Sequence, residues 1–459
     1  MREMVCLSGV LLMLASVSAV AAPRVEGWLS SEDGDYALTP VEMPEFAPVE
    51  QVAREAIVVD PSRTYQSMLG LGASLEHATC HNLSQLSEEE RAEVVERLVD
   101  PETGIGMNLM RLCIGTSDFA PLPYYTYNDL PEGETDPQLE QFSIEKDREY
   151  LLPIIKLALA KNPDMRYFAS PWSPPGWMKS TGELGGGRML DEHFAPYAEY
   201  FVQYINAYAD EGVPVHAVTV QNEPHMVHPG YPTCLWRAEQ QRDFIRGHLG
   251  PALRGAGLDT HIWCWDHNWN KVEFPKTVLS DPEAAQYVDG TGFHLYEGKV
   301  QAQTVLHEAF PDKHIYFTEG STFGTRGAVE IIEILRNWAR SYNAWVILLD
   351  HERQPNSGPH HASPTCIMLD EEGAVEYRYD YYMYGQFMKF IPRGAVRIGT
   401  PDCERRFAHI AFRTPQESIV LVVANANRDA RAFKVVWEDR AFETSLPGRA
   451  VGTYRWPGA

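Results

Sequence analysis

The feature that most constrains the fold of this sequence is a regular alternation of short β-rich runs with helical patterns, beginning near residue 66. Eight such runs occur, at Met68–Leu75, Met107–Gly115, Arg166–Ser173, His216–Pro224, His261–His267, Asp289–Tyr296, His314–Gly320 and Ala344–Asp350. This alternation is typical of parallel sheets, because each parallel connection needs a crossover that a helix supplies. Eight units predict an α/β fold, a (β/α)8 TIM barrel over residues 66–394.

Two segments between these runs carry clear helix signals. Ser87 and Glu90 have the spacing of a capping box, and an apolar helical face follows them. A second segment places four apolar residues on one helical face, namely Leu151, Ile154, Ile155 and Ala158. Both segments are therefore predicted as crossover helices of the barrel.

The last part of the chain has a different character. Residues 395–459 contain alternating runs such as Ser418–Ala424 and Ala432–Trp437, separated by turns and without a helical period. This pattern predicts a small β domain. The β-like segment at residues 50–65 is expected to complete it, whereas residues 23–55 as a whole are acidic and show no clear period.

The N-terminus resembles a secretory signal. Residues 1–22 contain a basic start at Arg2, the apolar run Val5–Val17 and the small-residue pattern Ala19-Val20-Ala21. These features predict a signal peptide and a secreted or periplasmic protein. No later segment has the roughly 18 apolar residues of a membrane span, so no stable membrane anchor is expected. The six cysteines beyond the signal are scattered without a CxxC pair, which leaves disulfides and free thiols equally open.

Charge and motif content exclude several classes of function. The formal net charge of -24 opposes binding to nucleic acid or anionic lipid. The sequence has no GxSxG elbow and no GxxxxGK[ST] loop, so serine hydrolase and phosphate chemistry are not indicated. Histidine pairs occur without the spacing of a zinc site, and neither a metal nor another cofactor is expected: His225 with His228, His360 with His361, and His77 with His81.

Two carboxylates stand at the ends of predicted barrel strands. Glu223 follows the fourth run in Gln-Asn-Glu-Pro, and Glu319 ends the seventh run in Thr-Glu-Gly. Barrel enzymes collect their reactive groups at the carboxyl ends of the strands, so the two side chains are expected to share one cavity. Cleavage of a glycosidic bond needs such a pair, one carboxyl to protonate the leaving oxygen and one to attack or stabilise the sugar.

Other strand-end residues suit a sugar. The indole of Trp172 offers a flat apolar face to a pyranose and an N–H to a hydroxyl. Trp345 and Tyr296 also fall near strand ends, and a tyrosine hydroxyl there can donate to the nucleophile and keep it ionised. Asn222, directly before Glu223, is placed to bond a sugar 2-hydroxyl.

Ordered motifs from Gly70 to the C-terminus resemble glycoside hydrolase family 30, the family of acid β-glucosidase. The stretches that carry the resemblance are Met110-Arg111 through Thr116-Ser117-Asp118-Phe119, Ala169-Ser170-Pro171-Trp172-Ser173-Pro174, Asn222-Glu223-Pro224, Gly230-Tyr231-Pro232, Gln241-Arg242-Asp243-Phe244-Ile245, Asp281-Pro282-Glu283-Ala284-Ala285, Thr318-Glu319-Gly320 and Lys389-Phe390-Ile391-Pro392-Arg393-Gly394. The resemblance implies a barrel with an attached β-sandwich and a retaining mechanism that uses no cofactor.

The resemblance also implies residue roles. Glu223 corresponds to the acid/base and Glu319 to the nucleophile of the family. The positions that line the family's sugar pocket are matched here by Arg111, Trp172, Asn222, Tyr296 and Trp345.

Two departures from the family pattern bear on the substrate. His77, with Glu76 beside it, is read at the position where the family has an aspartate that holds the distal hydroxyls of glucose. The run Leu349–Arg353 stands where the family has an asparagine-centred turn, so a reshaped loop over the pocket is expected.

These observations favour a β-glucosidase or β-1,6-glucanase that acts on a carbohydrate or glycoconjugate. A relative of the same fold that cleaves xylosides, fucosides or xylan stays open, as do a carbohydrate-binding barrel without turnover and a metal-dependent hydrolase. A glutamate acid/base predicts a bell-shaped pH profile on the acidic side of neutrality.

Overall fold

The computed structural model of the protein describes residues 24–49 and 56–458. The predicted signal peptide and residues 50–55 lie outside the described residues. The described N-terminal part forms four strands: β1 (Glu26–Ser31), β2 (Ala37–Val41), β3 (Ala47–Pro48) and β4 (Ile57–Ser67).

The predicted barrel is confirmed, with one strand overlapping each of the eight predicted runs. These strands are β5 (Gly70–Ser74), β6 (Leu109–Ile114), β7 (Arg166–Pro171), β8 (Val215–Thr219), β9 (His261–Asn268), β10 (Val288–His294), β11 (His314–Glu319) and β12 (Ser341–Val346). They are parallel and pair in the order β11-β10-β9-β8-β7-β6-β5-β12. The circle closes where the Arg340 N–H donates to the Ile315 carbonyl at 2.8 Å.

Helices cover the outside of the barrel, as the crossover geometry requires. They are α1 (His77–Gln85), α2 (Glu88–Val99), α3 (Leu151–Lys161), α4 (Phe194–Asp210), α5 (Ala238–Phe244), α6 (Gly250–Gly255), α7 (Glu273–Leu279), α8 (Pro282–Ala285), α9 (Gln301–Ala309), α10 (Gly324–Arg336) and α11 (Tyr379–Met388). The capping box of Ser87 and Glu90 is confirmed at the start of α2. In α3, the predicted face of Leu151, Ile154 and Ile155 is buried.

The eighth strand ends earlier than the sequence pattern suggests. After Val346 the chain forms β13 (Leu348–Leu349), which pairs with β14 (Ile367–Leu369), and β14 pairs with β15 (Val375–Tyr377). The segment between β13 and β14 brings His360 and His361 to a cavity at the carboxyl ends of the barrel strands.

A β-sandwich follows the barrel, as predicted. Its strands are β16 (Val396–Gly399), β17 (Phe407–Arg413), β18 (Ser418–Asn425), β19 (Arg431–Trp437), β20 (Arg440–Leu446) and β21 (Ala450–Pro457). The long strand β4 joins its two halves, because its first residues pair with β19 and its later residues with β16. The strands β1 and β2 extend the sheet beside β21, although the sequence shows no clear period there.

The barrel interior is filled at its amino end by an apolar cluster. Its members are buried side chains from six strands or strand entries: Leu69, Leu109, Phe168, Ala217, Trp263 and Tyr316. The rings of Trp263 and Tyr316 stack with centroids 3.9 Å apart. Reactive groups therefore have room only at the opposite, carboxyl end.

Two further features concern the described residues. Their six cysteines are all free thiols, and five of these are buried. Within the same residues, no helix has both the length and the apolar character needed to cross a bilayer.

Candidate active site

The structure brings the two strand-end glutamates to one cavity. Glu319 is the last residue of β11, and Glu223 lies four residues beyond the end of β8. The backbone of Glu223 has φ 46°, a left-handed conformation that costs free energy in a residue with a side chain. Its N–H donates to the Asp266 carbonyl at 3.0 Å, which holds this conformation in place.

A fully buried arginine organises the floor beneath these carboxylates. Arg111, on β6, donates to a carboxylate oxygen of Glu319, to Asn222 Oδ1 at 2.8 Å and to Asp266 Oδ2 at 2.9 Å. Charge-assisted bonds of this kind fix the orientation of a carboxylate. The guanidinium thus holds the Glu319 carboxylate in a fixed orientation.

Asp266 is the buried counter-charge of this network. Its Oδ1 accepts from Thr318 Oγ1 at 2.6 Å and from His294 Nε2 at 3.0 Å, and its Oδ2 accepts from Thr219 Oγ1 at 2.7 Å. Burial alone raises the pKa of Asp266, but the charge of Arg111 and the bond from His294 outweigh burial and hold that pKa far below its usual range. Asp266 is therefore a permanent anion.

His294 connects the two glutamates. Its Nδ1 lies 3.2 Å from Glu223 Oε1 and 3.8 Å from Glu319 Oε1. The two oxygens consequently lie within about 7 Å of each other, the sum of those two distances. Retaining glycosidases separate their carboxyl groups by about 5–5.5 Å and inverting ones by about 6.5–9.5 Å. The upper limit on the distance between the two oxygens therefore includes the retaining separation and only the shortest inverting separations.

The protonation of this cluster is coupled. Burial lowers the pKa of His294, but the charge of Glu319 and the bonds to Asp266 and Glu223 raise it to about 9. Burial raises the pKa of Glu223, yet the neighbouring imidazoles of His267 and His294 bring it below its usual range. His294 and Glu223 therefore hold one proton between them in the free protein.

The cavity in front of these carboxylates has a volume of about 520 Å³. Four of the predicted sugar-binding residues line it, namely Trp172, Asn222, Tyr296 and Trp345. The indoles of Trp172 and Trp345 stack with centroids 5.0 Å apart and form one apolar wall. The Tyr296 hydroxyl donates to Glu319 Oε1 at 2.8 Å.

The structure does not bring His77 to this cavity. Its imidazole is fully buried at the start of α1, where Nε2 lies 3.0 Å from the Tyr125 hydroxyl. Glu76 caps the same helix by accepting from the backbone N–H groups of Ala78 and Thr79. The expected sugar contact of His77 therefore has no support in this geometry, because the side chain packs against Tyr125 and Tyr150.

Asp118 lines the cavity instead, and motif reading did not single it out. Burial, together with the negative charge of Glu319 and Glu223, raises the pKa of Asp118 to about 7. Such a carboxyl can accept hydrogen bonds from sugar hydroxyls. Its signal in the sequence is its position just beyond β6, the rule that identified Glu223 and Glu319.

Three more residues of the site escaped the sequence analysis. His294 lies two residues before Tyr296, and its place at the end of β10 was available as a signal. Asp266 faces the interior because Trp265 and Asp266 both have positive φ, which breaks the alternation of β9 and leaves no sequence signal. His267 follows Asp266 on the same strand.

A surface groove shares one wall residue with the cavity. It has a volume of about 750 Å³ and includes Leu122, Tyr124, Thr181 and Tyr231 in its walls. Tyr231 also lines the cavity, so this ring belongs to the walls of both spaces. The side chain of Leu122 is 67% exposed there, an apolar surface open to a ligand.

Comparison with known proteins accounts for most of the chain. Residues 68–391 match the glycosyl hydrolase family 30 TIM-barrel domain, and residues 394–454 match the glycosyl hydrolase family 30 beta sandwich domain. The chain is 33% identical to an endo-1,6-beta-D-glucanase of Neurospora crassa over 409 residues, which cover 84% of each protein. It is 31% identical to the lysosomal acid glucosylceramidase of Mus musculus, over 87% of this chain and 83% of that protein.

Solved structures agree with these matches. An endo-beta1,6-glucanase superposes with a TM-score of 0.85 at 28% identity, covering 95% of this chain and all of that one. The protein SrfJ from Salmonella typhimurium superposes with a TM-score of 0.88 at 26% identity and the same coverage.

Proposed function

The chain belongs to glycosyl hydrolase family 30 and is a retaining hydrolase of β-glycosidic bonds; we propose that it is an endo-β-1,6-glucanase with Glu223 as acid/base and Glu319 as nucleophile. The observation that carries the residue roles is the approach of both carboxylates to His294 Nδ1 at the mouth of one cavity. The division into a catalytic barrel at 66–394 and a sandwich at 395–459 is part of this proposal.

The chemistry follows from the environment of each glutamate. Arg111 and Tyr296 donate to the two oxygens of Glu319, which fixes the orientation of the nucleophile toward the anomeric carbon. Glu223 and His294 share the proton that the leaving oxygen needs. Attack by Glu319 forms a glycosyl-enzyme, and Glu223 as base then activates the water that hydrolyses it, so configuration is retained.

Other residues of the cavity position the sugar. The stacked indoles of Trp172 and Trp345 offer an apolar wall to the C–H face of a pyranose. Asp118 offers a carboxyl to hydroxyls farther from the reacting carbon. Arg111 donates to the side chain of Asn222 and holds it beside the acid/base.

The substrate assignment rests on two supports. The relatives at 33% and 28% identity are endo-β-1,6-glucanases by name, and they match 84% and 95% of this chain. An endo-acting enzyme must also hold sugars on both sides of the cleaved bond. The groove that shares Tyr231 with the cavity provides such space, with Leu122 and Tyr124 as contact surfaces.

We assign the site of action to the outside of the cytoplasm. The basic start, apolar run and small residues of positions 1–22 support this assignment. The net charge of -24 is compatible with a neutral glucan, which carries no charge to be repelled.

The residue roles are tested with an activated aryl β-glucoside and an alkyl β-glucoside, which differ in their leaving group. Glu223→Ala should retain far more activity on an activated aryl group, which leaves without protonation, than on an alkyl aglycone. Glu319→Ala should lose activity on both substrates, because no nucleophile remains. Equal losses on both substrates in the two variants would contradict the assigned division of roles.

The substrate is tested with linear β-1,6-glucan, glucosylceramide and xylan. We expect a rapid fall in glucan chain length with oligosaccharide products. Release of glucose alone would show exo action, and cleavage of glucosylceramide without cleavage of glucan would move the assignment to the glucosylceramidases. Tyr124→Ala should raise KM for the glucan several-fold and leave the aryl glucoside unaffected.

A further inference from the structure

Glu223 is flanked by two imidazoles, and this trio forms a compact set of metal-binding atoms. One oxygen of Glu223 and one nitrogen each of His267 and His294 all lie within 4.8 Å of one another. Among residues 24–49 and 56–458, no other group of three or more histidine, cysteine, aspartate or glutamate side chains brings its ligand atoms this close together. We infer that the trio is an inhibitory site for Zn²⁺, which ties up the acid/base of the enzyme.

The distances suit a tetrahedral ion. Glu223 Oε1 lies 3.2 Å from His267 Nδ1 and 3.2 Å from His294 Nδ1. Zinc bonds of about 2.0–2.2 Å at tetrahedral angles separate neighbouring ligand atoms by about 3.3–3.5 Å. Two edges of the ligand triangle are therefore already close to the required length, and the third is no longer than 4.8 Å.

His267 supplies an independent observation that points to a ligand. Its side chain is 8% exposed, and its Nδ1 is buried without a hydrogen bond although it faces Glu223 Oε1. A buried ring nitrogen that faces a carboxylate without a well-aligned hydrogen bond is incompletely satisfied, and a cation held between the two groups satisfies both.

A buried carboxylate also holds the His294 imidazole in place. The Nε2–H of His294 donates to Asp266 Oδ1 at 3.0 Å, which leaves Nδ1 directed at Glu223. A histidine that binds zinc usually donates its other N–H to a carboxylate in this manner. Asp266 itself is anchored by Arg111 and two threonines, so the imidazole is held in the orientation that the ion needs.

The chemistry of the ligands selects the ion. Two imidazoles and one carboxylate suit Zn²⁺. Cu²⁺ also binds such ligands, because its affinity for nitrogen ligands is generally higher. Mg²⁺ and Ca²⁺, in contrast, prefer oxygen ligands only. Of the three residues, Glu223 is the one that lines the cavity, so an ion bound by the trio engages the side chain that faces the substrate. The inhibitory effect rests on the proposed role of Glu223, whereas the binding of zinc does not.

Two measurements separate these claims. Zinc binding is measured by titration calorimetry with the Glu319→Gln protein, in which all three ligands are intact. We expect one equivalent of Zn²⁺ to bind and Mg²⁺ not to bind. His267→Ala, added to that protein, should weaken zinc binding by about tenfold or more, and Glu223→Gln provides a second ligand variant whose shape is preserved.

Inhibition is measured with the otherwise unmodified enzyme and an aryl β-glucoside. His267→Ala should raise the zinc concentration for half-inhibition by at least about tenfold relative to the parent. His360→Ala and His361→Ala are matched controls, because these imidazoles line the same cavity but stand outside the trio. They should leave inhibition by zinc unchanged.

The outcomes that would overturn the inference are distinct. Zinc affinity unaffected by both His267→Ala and Glu223→Gln would place the ion elsewhere, whether or not the enzyme hydrolyses glycosides. Inhibition relieved by His360→Ala or His361→Ala would assign it to the rim of the cavity. Stoichiometric binding at the trio without loss of hydrolysis would refute the inhibitory claim and, with it, the acid/base role of Glu223.

Discussion

The interior of the barrel has two layers of side chains on the same strands, a lower layer that is apolar and an upper layer that is polar. On β6, β7, β8 and β11, an apolar residue of the lower layer is followed two positions later by a polar residue of the upper layer. The pairs are Leu109 with Arg111, Phe168 with Ser170, Ala217 with Thr219, and Tyr316 with Thr318. Residues two apart on a strand face the same side, so both layers point into the interior.

The difference between the layers shows where stability and chemistry are located. In the lower layer, Phe168 and Tyr316 pack on Trp263, which excludes water from the barrel axis. In the upper layer, Arg111 and Asp266 are buried as charges, and their ion pair and hydrogen bonds offset the free-energy cost of burial. Apolar packing stabilises without specifying a reaction, whereas the buried network fixes reactive groups with little net gain in stability.

The largest expected effect is a loss of activity without a loss of stability. Glu319→Gln removes the nucleophile but keeps the size of the side chain, so hydrolysis should fall by about 10⁴-fold or more. Glu297→Gln is the matched control, because Glu297 lines the same cavity without contacting the carboxylate pair. Steady-state rates and thermal unfolding check both variants; a Glu319→Gln enzyme within tenfold of the parent would contradict the assignment.

The second expected effect is a joint loss of activity and stability on substitution of Arg111 in the upper layer. Arg111→Met leaves Asp266 and Glu319 as buried anions without their cation, so it should lower both activity and stability. Breaking a buried pair costs about 3–5 kcal/mol, and we expect a loss of that size in denaturant unfolding. Unchanged stability would mean that the upper layer contributes nothing to the fold.

The third effect is confined to the lower layer. Trp263→Ala opens a cavity between Phe168 and Tyr316 and should reduce the free energy of unfolding by about 3–5 kcal/mol. At low temperature, the folded protein should keep KM and kcat within a few-fold, since no atom of Trp263 lines the catalytic cavity. Phe323→Ala, at a partly exposed site beside that cavity, serves as the control and should unfold like the parent.

The fourth expected effect is small, and it concerns the pH dependence of stability at Asp118. The pKa of Asp118 is raised to about 7, so the native state holds its proton more tightly than the unfolded chain does. The corresponding stability is present below about pH 4 and is lost as pH rises to about 7. Asp118→Asn should therefore gain stability relative to the parent through this window, by about 1–3 °C in Tm.

Measurements of Tm at pH 4, 5.5 and 7 decide this point. A difference between Asp118→Asn and the parent that stays constant from pH 4 to 7 would contradict the shifted ionisation. A gain in stability that accompanies weaker substrate binding would show that the upper layer trades stability for function.

Much of the fold is readable from the sequence because its signals are local. Eight β-rich runs, the capping box at Ser87 and the apolar face of α3 depend on spacings within one element, and the structure confirms them. The strands β1 and β2 carry no such period, because they extend the edge of a sheet whose core lies mainly on other strands. The end of β12 also escaped prediction, since Leu348 and Leu349 are apolar but pair with β14.

For the site, local sequence patterns were enough to predict that Glu223 and Glu319 stand at the ends of strands. Alternation along a strand and the polar break that follows it are properties of neighbouring residues. The surroundings of these carboxylates depend instead on contacts between residues far apart in the chain. Arg111 reaches Glu319 across 208 residues, and Asp266 turns inward through a bulge that no local pattern marks. Which side chains meet depends on the stagger and closure of the barrel, and this is why His77 lies buried while Asp118 faces the cavity.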